Sequence, residues 1–205
     1  MYITAYSRIT SSHVLLNGQP VQIERTDKDW LADIYGHLGI RYPKFFKMDM
    51  LCKAGFLAAE MVMPAIADVK RDEAGLTHDT AVLLFNRSAS LENDTAYAHT
   101  ITPADYFPSP ALFVYTLPNI LTGEIAIRHR LAGETVCYID EAFHADTVYQ
   151  AVADCFRTTP VVNVLCGWAE YFAGHCDILA VTVRRGREGL MPFTEKNLQN
   201  CYTNI

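Results

Sequence analysis

The sequence has 205 residues, 17 of them basic and 23 acidic, for a formal net charge of -6; half are apolar and a fifth are charged. This length suits one domain that buries its own core, and the composition excludes disordered, collagen-like and low-complexity classes. The acidic balance opposes binding to a phosphate backbone, so nucleic acid is not expected as a partner.

The opening residues, MYITAYSRITSSHVLL, hold no basic stretch followed by an unbroken apolar run, so no signal peptide is read there and a cytoplasmic protein is expected. Asn17-Gly18 lies between Val14-Leu15-Leu16 and Val21-Gln22-Ile23. That is the arrangement of a tight hairpin, because a two-residue turn of matching twist needs positive φ at both positions. From residue 44 to 67 the residues Phe45, Met48, Leu51, Cys52, Phe56, Ala59 and Val62 recur at threes and fours, with Pro64 near the end, which predicts an amphipathic helix over 44–63. Thr80 to Phe85 is a short apolar run, the pattern of a strand buried on both faces, and 86–99 reads as polar loop with a short helical turn.

The longest uncharged run, Tyr106 to Gly123, has the length of a membrane helix, but Pro108, Pro110 and Pro118 interrupt it, so it is read as buried loop and helix start. Asn119 is placed to cap a helix through Ile120, Leu121, Ile125, Ile127 and Leu131, which Gly133 would stop. Gly123 inside it costs about 1 kcal/mol relative to alanine, which predicts a close packing partner at that point. Residues 135–139 then read as a strand, 144–156 as a helix, 160–166 as a strand and 176–183 as another. This alternation predicts crossover units in a mainly parallel or mixed sheet with helices packed on it, in one domain over 1–205 without repeats or linkers. The six cysteines, at 52, 137, 155, 166, 176 and 201, show no CxxC spacing, so free thiols, no structural zinc and no cofactor are expected.

The stretch Phe107-Pro-Ser-Pro-Ala-Leu-Phe-Val-Tyr-Thr-Leu-Pro-Asn119-Ile-Leu-Thr-Gly123-Glu-Ile-Ala-Ile-Arg128, followed by Leu131-Ala-Gly133-Glu-Thr, resembles the amino-terminal half of β-ketoacyl synthases. Two further segments agree in order and spacing. Arg41 to Val62, with Lys47-Met48-Asp49 early and Ala58-Ala59 late, looks like that family's first long helix, and Val162 to Glu170 looks like its strand leading into Gly-Gly-x-Glu. Asn86-Arg-Ser-Ala-Ser-Leu with Ser109-Pro110 and Tyr115-Thr-Leu-Pro-Asn119 looks more specifically like a group of short bacterial ketosynthase-like proteins. The resemblance covers about residues 41 to 183. It implies an α/β fold, half of a thiolase-like architecture, with a mixed sheet flanked by helices.

Two departures from that pattern bear on chemistry. The family's nucleophilic cysteine, which takes the acyl chain as a thioester at the start of a helix, falls by count from Gly133 on Ala142. Cys137 lies five residues earlier, inside the strand, where its side chain is expected to enter a packed layer. The family's two carbonyl-polarising histidines come from a carboxyl-terminal half that this sequence does not contain. Removing a nucleophile alone costs on the order of 10⁶ in turnover. The resemblance therefore implies a non-catalytic ketosynthase-like subunit in bacterial fatty-acid, polyketide or aryl-polyene-type synthesis. It would be a homodimer, or a heterodimer with a complete ketosynthase, joined along the strand 135–139, and it would bind an acyl chain or acyl carrier protein. The helix after Ala142 supports this reading, since Val148, Ala151, Val152 and Cys155 form one stripe and Asp146, Gln150, Asp154 and Arg157 another, leaving one face polar.

Other constellations compete. Asp140, Glu141, His144 and Asp146 cluster near the nucleophile position, where Asp140 and His144 would share a face if the helix began early and a metal or acid-base site is the functional reading; Glu141 with His144 would be the acid-base pair of an alternative, a small enzyme acting on an acyl thioester. Acidic residues also favour a helix start for purely structural reasons. His175 and Cys176 are adjacent on a strand and point to opposite faces, which opposes a Cys–His pair. Arg128-His129-Arg130 and Arg184-Arg185-Gly186-Arg187 are the dense basic runs of an acidic chain, and Arg128, Arg130, Arg184, Arg185 and Arg187 are candidates for docking the acidic carrier protein. Tyr97, Phe107, Phe113 and Tyr115 either line an acyl channel or belong to the core.

Overall fold

The computed structural model describes residues 1–26, 29–66, 69–101, 107–186 and 188–204. The chain opens with strand β1 (Tyr2–Thr10), which turns back into β2 (Val14–Leu16) and β3 (Gln19–Pro20). Asn17 and Gly18 both have positive φ, 52° and 77°, and Leu16 pairs with Gln19, as a two-residue hairpin requires. The return strand is thus Gln19–Pro20 and not 21–23, because the turn leaves no residues between Gly18 and the first pair.

Helix α1 (Trp30–His37), which the periodicity did not reveal, is capped by Asp29, whose carboxylate accepts from the amides of Leu31 and Ala32. The helix expected over 44–63 is divided: Pro43–Lys47 is a 3₁₀ turn, Met48 is extended, and α2 (Met50–Val62) starts afresh on the Asp49 cap, with the Cys52 N–H donating to Oδ1 at 2.9 Å. A side chain that satisfies an orphan amide restarts the helix where the apolar period alone would carry it through.

Strand β4 (Thr80–Asn86) is buried throughout, as expected. The supposed loop 86–99 contains α3 (Leu91–Ala98), and of the Pro-punctuated segment 103–118, residues 103–106 lie outside the described ones while Pro110–Phe113 form the turn α4. Helix α5 (Ile120–His129) begins after Asn119, but the Asn119 side chain makes no capping bond, and the helix ends in a left-handed Arg130 (φ 57°), three residues before Gly133. The Leu131 and Arg130 amides close onto Ala126 and Ile127 there, a termination set by backbone bonds that residue type did not announce. Gly133 serves packing instead: a Cβ there would lie 2.2 Å from the Thr80 carbonyl oxygen.

Next come β5 (Thr135–Ile139), α6 (Ala145–Thr158), β6 (Asn163–Phe172), β7 (His175–Arg184), β8 (Met191–Pro192) and α7 (Glu195–Thr203). Among the described residues the strands form one mixed sheet in the order β3-β2-β1-β7-β6-β4-β5, with β8 against β1. β4 lies parallel to both β5 and β6, and the other pairs are antiparallel.

The period of two in the strands divides the core between the two faces of this sheet. Val82, Leu84, Leu165 and Ala169 pack under α1, α2 and α5; Ala81, Leu83, Phe85, Val164, Cys166 and Trp168 pack under α6 and α7. α2 is the central helix of its layer and is almost wholly buried, and its Gly55 admits Leu121 of α5, whose Cδ2 would lie 2.5 Å from a Cβ. The close approach expected at Gly123 therefore occurs at Gly55, and around Gly123 the space is open to 4 Å. α6 buries Val148, Val152 and Cys155 and turns Asp146, Gln150, Asp154 and Arg157 to solvent, as the stripes predicted. Among the described residues no helix is long and apolar enough to cross a membrane.

Candidate functional site

The carboxyl ends of β4 and β5 meet where the Asp140 N–H donates to the Asn86 carbonyl at 2.9 Å. Two loops leave this end. The first, after β4, is fixed by Glu170 of β6, a carboxylate 3% exposed that accepts from the amides of Arg87 (2.9 Å) and Ser88 (3.0 Å) and from the Ser88 hydroxyl. Asn86 donates to the Ala169 carbonyl and accepts from the Ala89 amide, holding Ala89 at φ 51°. A buried carboxylate satisfied by consecutive amides holds a turn, so Asn86, Ser88 and Glu170 build the site's frame.

The second loop, residues 140–144, carries the position of interest. Ala142, the position to which the family resemblance assigns the nucleophile, is exposed and lies three residues before the positive end of α6. Asp140 Oδ1 accepts from the Glu141 amide at 2.8 Å, and its Oδ2 lies 3.1 Å from His144 Nδ1. This hydrogen bond holds the Asp140 carboxyl below its ordinary value and the imidazole above its own. The structure thus joins His144 to Asp140, while Glu141 and Asp146 are exposed.

Cys137 lies on β5, half-buried, facing a cavity of about 10 Å³ that Leu84, Leu121 and Thr122 also line. Desolvation raises its thiol, as it does those of the five buried cysteines; Cys176 and Cys201 are pushed up to about 12. A protonated thiol is a poor nucleophile. On the other face of β5, Tyr138 stacks on Phe85 at 4.6 Å, and a groove of about 370 Å³ runs between the strand and α6. Among the described residues no three of His, Cys, Asp and Glu are grouped to hold a metal.

Of the basic candidates, Arg130 and Arg184 lie at the opposite end of the sheet, about 20 Å away along the seven residues of β4. There the Thr77 amide bonds the Arg130 carbonyl, and Arg184 stands opposite Asn163, itself opposite Thr80. Arg128 is committed to Glu60 by two bonds, at 2.9 and 3.0 Å. Arg185 donates to the Phe156 and Thr159 carbonyls at the end of α6. Arg130 is exposed, Arg184 is half-buried, and Arg187 lies outside the described residues. Of the aromatic candidates, Tyr115 is core and reaches Glu124 at 3.4 Å, whereas Phe107 and Phe113 are exposed.

Two buried polar groupings escaped the sequence reading. Arg8, in the middle of apolar β1, pairs with Asp177 at 2.5 Å, donates to the carbonyls of Ile178 and Tyr202, and lies over the Tyr202 ring. Lys44 reaches the buried Glu124 at 2.7 Å. The sole sequence signal was a charged residue in an otherwise apolar segment.

No family model and no curated protein matches the sequence. Solved structures do match. The ishigamide ketosynthase/chain length factor superposes with a TM-score of 0.64 at 15% identity, covering 93% of this chain and 63% of that one. A type II polyketide-synthase acyl-carrier protein in complex with its ketosynthase gives 0.54 at 13%, covering 89% and 62%. The ketosynthase ApeO with its chain length factor ApeC from Xenorhabdus doucetiae gives 0.59 at 11%, covering 98% and 89%. The chain thus spans less than two thirds of the first two and nearly all of the third. These likenesses show the fold, which is that of the ketosynthase and chain-length-factor structures, a mixed sheet flanked by helices as the sequence resemblance implied.

Proposed function

We propose that this chain is a non-catalytic ketosynthase-like subunit, of the kind represented by chain length factors, that pairs with a complete ketosynthase in fatty-acid, polyketide or aryl-polyene-type synthesis in the cytoplasm. The observation that carries this reading is the ketosynthase-type fold; the count along the sequence that sets Ala142 at the nucleophile's place supports it. Its other thiols are buried or, at Cys137, raised by desolvation, so no second nucleophile takes over.

β5 supplies the surface for such a partner. Among the described residues it is the last strand on its side of the sheet, Tyr138 and Ile139 are exposed on it, and such an edge offers backbone donors and acceptors to a second strand. A stable pairing of this kind would bury over ~1,000 Å². The carrier protein, as an acidic partner, would be steered by Arg130 and Arg184, the described candidates whose guanidinium groups are not engaged by the fold's own carbonyls or carboxylates. The acyl-thioester enzyme with Glu141 and His144 as acid and base is not the reading the geometry favours, since the imidazole is bonded to Asp140.

The test is co-expression of the tagged chain with ketosynthases encoded in the same genome, followed by size-exclusion chromatography and mass spectrometry. A 1:1 complex in which only the ketosynthase is acylated supports the proposal. Acyl loading on a cysteine of this chain, or carbon dioxide release from malonyl-carrier protein by this chain alone, overturns it.

A further inference from the structure

The backbone bonds at the two ends of β5 fix which way its groups point. The Val82 N–H donates to the Glu134 carbonyl and the Asp140 N–H to the Asn86 carbonyl, so the even-numbered residues 134 to 140 turn their amides and carbonyls toward β4. Those of Thr135, Cys137 and Ile139 then point away from β4, and among the described residues no strand bonds them.

If a second copy of the chain added its own β5 antiparallel to this edge, full overlap of the five-residue strands would place Cys137 opposite Cys137 and Thr135 opposite Ile139. The flanking residues are then fixed as well. Glu134 of each copy stands opposite Asp140 of the other, twice, in the non-hydrogen-bonded positions where side chains come closest, about 4.5 to 5.5 Å apart. Both residues follow the parity of Tyr138, whose ring lies on the α6 side. The groove there is lined by Glu134 and Asp154 and by no lysine or arginine. His144 offsets part of the charge of Asp140, but Glu141 and Asp146 beside it keep that end negative; Arg157 pairs with Asp154 at 2.9 Å.

We propose that the acidic ends of β5 reject self-pairing and select, as occupant of this edge, a chain of the same fold whose corresponding strand carries basic side chains at its two ends. The inference rests on the partner reading above and specifies the chemistry of the partner's edge. Like charges directly opposite across two strands destabilise pairing, and opposite charges stabilise it. The edge thereby favours a heterologous subunit over a second copy of the chain.

Sedimentation equilibrium of the intact chain at pH 8 and low salt tests this. The unmodified chain is expected to remain monomeric at micromolar concentration and to self-associate more as salt screens the repulsion. Glu134→Lys, at an exposed position, places opposite charges at both ends and is expected to tighten self-association about tenfold or more. Glu134→Lys combined with Asp140→Lys restores like charges and is expected to lose that gain. Should the doubly reversed chain not fold, Glu134→Gln provides the same reading, with a weaker salt response than the parent. A parent chain that dimerises as tightly as Glu134→Lys, or a Glu134→Lys chain that stays monomeric, overturns the proposal. The ketosynthase complex separates the two readings. If it forms but is indifferent to Glu134→Lys, the charge rule falls and the partner reading stands. If no ketosynthase binds while Glu134→Lys still gains self-association, the partner reading falls and the charge rule stands.

Discussion

Phe143 and Tyr202 stack with ring centroids 4.2 Å apart, tying the loop that carries Ala142 to the last helix of the chain. Tyr202 in turn donates its hydroxyl to Asp177 Oδ2 at 2.6 Å, and Asp177 holds Arg8. One run of contacts thus connects the loop 140–144 to the middle of the sheet.

That run gives the first prediction. The Arg8 and Asp177 side chains are 4% and 16% exposed, so Arg8→Met leaves a carboxylate largely buried without its cation and is expected to cost ~3 to 5 kcal/mol in urea unfolding. Tyr202→Phe, which keeps the ring stack and loses one bond to a charged group, is expected to cost about 1.5 to 3 kcal/mol. A double variant should lose less than the sum, since both act on Asp177.

Thiol reactivity checks the site chemistry. Burial raises the native thiols, so iodoacetamide at pH 8 is expected to label the folded chain slowly, with Cys137 first as the one half-buried cysteine. Ala142→Cys puts a thiol on an exposed loop near the positive end of α6 and should be labelled faster than Cys137, as read by intact mass. Rapid labelling of Cys137 in the native chain would contradict its placement against the packed layer.

Two glycines should respond in opposite directions. At Gly167, φ is +146° and a Cβ would lie 2.0 Å from the Leu179 carbonyl oxygen, so Gly167→Ala forces β6 and β7 apart and is expected to cost 3 kcal/mol or more, roughly the scale of severe core disruption. Gly123 sits in α5 with nothing within 4 Å of its would-be Cβ, so Gly123→Ala is expected to stabilise by about 0.5 to 1 kcal/mol. Thermal unfolding of the two variants measures both.

Acid stability depends on Glu60. Burial works upward on its carboxyl, but the His129 imidazole 2.9 Å away and the two bonds from Arg128 prevail and lower it from 4.5 to about 2. The folded value is below the unfolded one, so the carboxylate's contribution is present above pH 4.5 and is lost as the pH falls through about 2. The urea midpoint of the parent should therefore fall more steeply than that of Glu60→Gln across this window. Parallel curves would remove Glu60 from the account.

The parts of the fold legible in the sequence are those decided by near neighbours. Asn17-Gly18 specified its hairpin, the run 80–85 its doubly buried strand, and the stripes of α6 its two environments. The candidate site was legible only as a proposed position, Ala142, because a count along the chain assigns a register without showing what surrounds it. The i,i+4 spacing of Asp140 and His144 already put the two on one face, and the structure joins them, although in the loop before α6 and not within the helix.

What the linear order determined by itself was local conformation, fixed by turn-forming side chains and by the spacing of apolar groups. Tertiary structure decided which strand became the open edge, which glycine received a neighbouring helix, and which acid met Arg8, 169 residues away in the chain. Those outcomes depend on groups brought together only when the two layers close over the sheet, since a buried charge or an unpaired strand acquires its surroundings from elements remote in sequence.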